Sequence, residues 1–220
     1  MQLELVPTAT AAFMAGLSDR QMQRVVDEAI MGAPLVSREG GRSFAKMSSA
    51  LANFYFASNE VFTREARLGV IKVIVARIRQ RKDADDLFSL RGPLNEVNWT
   101  VDLPAKVHVE LGSYVKDAKD RELLVRRAEA AVVEDPDIMG GQPVFRGTRV
   151  PASIVAASKQ AGYGMDQLRA AYPFLTPELV EDAEAYLRIH PRMGRPVKAE
   201  VAATHRTPIS SKRVPLAPRE

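Results

Sequence analysis

Apolar positions recur with helical period over Thr8–Met14 and again over Ser18–Ile30, and Gly16 stands between them where the backbone has to turn. Two helices joined by a tight turn are therefore expected. Leu35–Phe44 abandons that period for two short extended pieces around Arg38-Glu39-Gly40-Gly41, a glycine pair suited to the positive φ of a hairpin turn. Helical periodicity returns from about Lys46 to Ala57 and from about Thr63 to Gln80, the latter with Thr63 as N-cap. Residues 1–82 read as one domain.

From Asp83 the pattern becomes alternating, at Val97, Trp99, Val101 and Leu103 and then at Val107, Val109 and Leu111, so residues 83–130 read as a connector with strands. Within it, residues 117–130 are charged and rich in Ala and Leu, which fits a helix or a solvated linker. A turn-rich run from Glu134 to Pro151 leads into three short helices. They are Pro151 to about Ala161, Asp166–Ala171, and a last one with Thr176 as N-cap and Pro177 at its first position. Residues 131–190 form this trihelical module, and residues 191–220, with five prolines and no apolar period, read as a flexible tail. The fold class is mainly α with short β elements.

Apolar residues make up 46% of the 220, enough for one full core or two small ones. The net charge of +4 favours an anionic partner only weakly, but its distribution is uneven. Beyond Pro191 seven basic residues face two acidic ones, a local balance of +5. The absence of Cys excludes disulfides, thiolate metal sites and Cys nucleophiles, and it agrees with a cytoplasmic setting. No leader is visible, and the apolar run Val70–Val75 is interrupted by Lys72 and too short to span a membrane. No enzyme is expected: His108, His190 and His205 are isolated, and Gly140-Gly141 precedes no Lys-Ser or Lys-Thr pair. Asp135 and Asp137, separated by Pro136, read as turn formers rather than Mg²⁺ ligands. No catalytic residue, metal or cofactor is assigned.

The first two helices carry candidate chemistry. Ala12, Leu17, Met22, Val25 and Val26 would hold them together, Ser18 would cap the second, and Gln21 would close a capping box. Asp19, Arg20, Gln23 and Arg24 are then left outside, where Arg suits guanine, Gln suits adenine and the helix N-terminus suits phosphate. Arg38, Arg42 and Lys46 cluster on and after the hairpin, placed to neutralise flanking phosphates. A bihelical packing unit with a solvated charged hairpin is the alternative. The arrangement resembles the MerR-like winged helix-turn-helix over about 75 residues, by pattern rather than by invariant residues, and lacks that family's long dimerisation helix. What it implies is binding of double-stranded operator DNA. A homodimer is expected because such proteins commonly read two half-sites.

Gly140-Gly141-Gln142-Pro143-Val144-Phe145-Arg146-Gly147-Thr148-Arg149-Val150-Pro151, followed by Tyr172-Pro173-Phe174-Leu175-Thr176, resembles the module known as domain of unknown function 433. The resemblance implies a trihelical, homeodomain-like unit behind a short β-hairpin, found in antitoxins of VapBC-type pairs that bind a PIN-domain ribonuclease toxin and repress their own operon. Gly147, Thr148 and Arg149 are expected to serve the fold; the alternative is that Arg146 or Arg149 meets a partner. Glu178, Glu181, Asp182 and Glu184 make the last helix acidic, which favours protein contact or dimerisation over DNA. The tail fits a solubility appendage, a DNA-backbone arm or a segment that folds onto a protein. In the antitoxin reading it would cross the toxin, with Arg192 or Arg195 meeting the acidic active site and Val197, Lys198 and Val201 as further contacts. The leading expectation is an antitoxin; the alternatives are a stand-alone transcriptional regulator and a structural adaptor without DNA binding.

Overall fold

In the computed structural model, which describes residues 3–191, strand β1 (Leu5–Pro7) precedes helices α1 (Thr8–Ala15) and α2 (Asp19–Asp27). Gly16 adopts φ 67 between the helices, a left-handed conformation that costs glycine little. The expected hairpin follows as β2 (Val36–Ser37) and β3 (Ser43–Ala45), with Gly40 and Gly41 at positive φ in its turn. β3 lies central in an antiparallel sheet of order β1-β3-β2, pairing Val6 and Val36 with Phe44. β1 is too short for any period to reveal it.

Helices α3 (Met47–Ala57) and α4 (Arg64–Arg79) stand where the apolar period places them, and the Thr63 hydroxyl accepts the Ala66 amide. A short α5 (Ala84–Phe88) leads to β4 (Thr100–Leu103) and β5 (Val107–Glu110), an antiparallel pair with Val101 opposite Val109. Residues 112–131 settle as a single helix, α6 (Gly112–Ala131). The 83–130 region is therefore not a connector between two cores. Leu87, Phe88, Trp99, Val101, Val109 and Val125 share one apolar core with Met14, Met22, Phe44, Leu51 and Ile74. No seam falls at residue 82.

A second core gathers around the last three helices, α7 (Ala152–Gln160), α8 (Met165–Ala171) and α9 (Pro177–Ile189), behind the hairpin β6 (Val132–Val133) and β7 (Val144–Phe145). Ala128 of α6 belongs to this core, Phe13 of α1 packs against both cores, and the Arg188 guanidinium sits 5.4 Å from the Phe13 ring centroid. The acidic face of α9, expected to meet another molecule, finds cations inside the chain. Arg127 of α6 pairs with Glu181 at 2.8 Å and with the buried Asp182 at 2.9 Å, and Lys159 of α7 pairs with Glu184 at 2.7 Å. Among the described residues the fold is mainly helical with a few short strands, and no helix is long and apolar enough to cross a membrane.

Candidate nucleic-acid interface

Helix α2 is amphipathic for a simple reason: Met22, Val25 and Val26 recur at helical spacing and are buried, which turns Asp19, Arg20, Gln23 and Arg24 into solvent. Its start is fixed by a reciprocal cap. The Ser18 hydroxyl accepts the Gln21 amide at 3.3 Å while the Gln21 side chain accepts the Ser18 amide at 3.0 Å. Arg20 and Gln23 are exposed and bond to no other described side chain. Arg24 pairs with Glu28 at 2.6 Å one turn along, and that hydrogen bond holds the Glu28 carboxyl below the ordinary carboxylate range.

The β2–β3 hairpin is tied to the far end of the same helix. Arg38 donates to the Val26 carbonyl at 2.7 Å, an acceptor at the negative end of α2, and Arg42 pairs with Asp27 at 2.7 Å. Arg38 keeps its charge uncompensated by any described carboxylate, whereas Arg42 shares its charge with Asp27. Lys46 behaves otherwise than expected. It is 5% exposed at the base of β3, and its ammonium lies 3.0 Å from Glu122 and 2.8 Å from Glu4, so it faces inward and is no phosphate contact on the hairpin. Glu122, fully buried, also accepts from Lys119 at 3.0 Å and from Arg126. Burial raises its carboxyl, but the bonds from Lys119 and Lys46 outweigh that and hold it below its ordinary 4.5.

Arg64, not singled out in the sequence, adds a cation to this face by donating to the Glu28 carbonyl at 2.9 Å. Nothing local in the sequence marked it, because the carbonyl it meets at the C-terminal end of α2 lies 36 residues away. Beneath the face, Arg121 of α6 donates to the Met14 carbonyl at 3.2 Å, beside the Gly16 turn.

In the C-terminal module the Arg residues divide differently. Arg146 donates its Nε to the Ala130 carbonyl at 2.7 Å, and its amide bonds to the Ala131 carbonyl, so it fastens β7 to the end of α6. Thr148 closes the adjoining turn by accepting the Val150 amide and donating to the Phe145 carbonyl. Arg149 is exposed without a described partner. Arg146, set beside Arg149 as an alternative partner contact, thus serves the fold, whereas the Arg149 guanidinium, expected first to serve the fold, makes no described bond to it. Asp135 accepts the Asp137 amide at 2.9 Å, the turn its sequence suggests. Arg192, Arg195, Val197, Lys198 and Val201 lie outside the described residues.

Residues 132–187 match the family described as protein of unknown function DUF433, the span of β6 through most of α9. Uncharacterized protein y4eO of Sinorhizobium fredii is 33% identical over 192 residues, covering 87% of this chain and 84% of that protein. The chain belongs to the y4eO family. Because that alignment runs far beyond the DUF433 segment, the y4eO relationship takes in the α6 brace and elements of the first core together with the module. No solved structure matches.

Proposed function

We propose that this member of the y4eO family is a DNA-binding antitoxin: it reads duplex operator DNA with α2 and the β2–β3 wing, and its C-terminal half engages a PIN-domain ribonuclease. The observation that carries the DNA half is the capped helix α2, with Arg20 and Gln23 open to solvent beside a wing held at its C-terminal end. These are the side chains that make bidentate contacts to guanine and adenine, while Arg38, Arg42 and Arg64 suit phosphates on either side. The antitoxin half stands on the DUF433 resemblance and on the chemistry of the basic tail. A dimer reading two half-sites is part of the proposal.

Two assays test it with the full chain. Binding to the duplex upstream of its own gene should weaken steeply with salt, and Arg20→Ala with Gln23→Ala should remove roughly 1–3 kcal/mol of discrimination per lost contact. Absence of salt-dependent duplex binding refutes the DNA reading. Co-expression with the adjacent gene product, for the full chain and for a version ending at His190, should give co-purification and a silenced nuclease only with the full chain. A stand-alone regulator is the second reading, favoured by the pairing of Glu181, Asp182 and Glu184 of α9 inside the chain, which leaves that face less charge to offer a toxin. It predicts DNA binding without capture of any nuclease.

A further inference from the structure

The segment that joins α2 to the wing does not close onto the helices beneath it. Between residues 29–35 and α4 it leaves a groove of about 470 Å³, within the size range of small-molecule sites. Ile30, Met31, Leu35 and Ile71 form a buried apolar floor, with Val75 partly exposed along one wall. The charged side chains that line it are both cations. Lys72 and Arg79 sit on α4 seven residues apart, two helical turns or about 10 Å along the groove. Lys72 is exposed with no described partner, and Arg79 donates to the Ala33 carbonyl, which uses one of its five donors and cancels none of its charge. No carboxylate lines the groove. At its edge Ala29 is held at φ 50, a left-handed conformation unfavourable for a residue with a Cβ, where this wall of the groove leaves α2.

We propose that this groove binds a small organic anion with an apolar body, a medium-chain or ring-bearing carboxylate whose acid group meets Lys72 or Arg79 while its carbon skeleton covers Ile71 and Val75. An apolar floor alone would accept any oily molecule. Two cations at the rim, with no acid to neutralise them, select the charged head. Because one wall is the link between α2 and the wing, occupancy is positioned to alter the angle between them; that consequence rests on the DNA reading above, so the binding test contains no DNA.

The test is a methyl-detected NMR titration of the full chain with octanoate and, separately, with its uncharged isostere octanamide. Octanoate should give saturable shifts confined to methyls of Ile30, Met31, Ile71 and Val75, with octanamide weaker by roughly tenfold or more. Lys72→Met and Arg79→Met, both at exposed positions, should between them weaken octanoate alone, and octanoate binding unchanged by both overturns the proposal. Equal binding of the two probes, shifts scattered elsewhere, or no saturation overturns the proposal. So does movement of the same methyls with protein concentration alone, which would mark the groove as a contact between copies.

Discussion

Helices α2 and α9 begin alike and are used in opposite ways. Each follows a hydroxyl cap, with Ser18 accepting from Gln21 and Thr176 accepting from Leu179 at 3.2 Å, and each buries one apolar stripe. On α9 the charged side is paired within the chain, where Arg127 meets Glu181 and the buried Asp182 and Lys159 meets Glu184. On α2 the charged side faces water, and Arg20 and Gln23 are held by nothing described. Charge along a helix therefore does not say whether the helix meets a partner; the position of the complementary charge does. Here α6 supplies it to one helix, through Arg127, and to the foot of the β2–β3 hairpin, through Glu122, while leaving the outer face of α2 alone.

The largest effect should come from breaking that brace. Glu122→Ala leaves Lys46 buried with only Glu4 beside it, and removing one member of a buried charge cluster costs about 3 kcal/mol or more. Denaturant unfolding at neutral pH checks this. The folded carboxyl is held below its ordinary 4.5, so its contribution is complete above that pH and is lost as pH falls through the lower folded value. The gap between wild type and Glu122→Ala should accordingly narrow only in acid. A constant gap down to pH 3 would show that Glu122 acts through packing.

Second in size is Arg127→Ala, which unseals α9. It strands Asp182, 5% exposed, without its donor, at a cost of about 1–3 kcal/mol, while Glu181 simply returns to water. Restoring most of that loss with Asp182→Asn in the same chain would show that the desolvated charge, rather than lost contact area, is responsible.

Much of this was legible in the sequence because it is local. The Ser18 and Thr176 caps, the Gly40-Gly41 hairpin, the β4–β5 alternation and the Asp135 turn each depend on residues within a few positions of one another. What escaped depends on distance along the chain. β1 exists only because β3, some 38 residues on, offers its free edge. The buried stripe of α6 runs Val115, Ala118, Glu122, Val125 and Ala128, so a carboxylate interrupts the apolar period and the segment reads equally well as solvated linker. Lys46 misled for the same reason: its buried acidic partner Glu122 lies 76 residues away, and the sequence places it beside the basic hairpin instead.

A cap should matter less than the brace yet still be measurable. Ser18→Ala removes the hydroxyl that accepts the Gln21 amide at an exposed helix start and should destabilise by about 1 kcal/mol. It should also loosen the first turn of α2, so amide hydrogen exchange at Asp19–Met22 should quicken ahead of any global change. Uniform acceleration throughout the chain would mean that α2 cannot fray on its own.

The smallest predicted effect is the one that separates the two helices most cleanly. Arg20→Ala and Gln23→Ala, singly or together, should change unfolding free energy by no more than about 0.5 kcal/mol, because both side chains are exposed and neither bonds to another described residue. Selection for stability alone has no use for either group at these positions. If the double variant unfolds like wild type while losing duplex affinity, the face of α2 is kept for a partner and that of α9 for the chain itself. Loss of stability instead would show that Arg20 and Gln23 hold the fold together in solution, and the contrast between the helices would disappear.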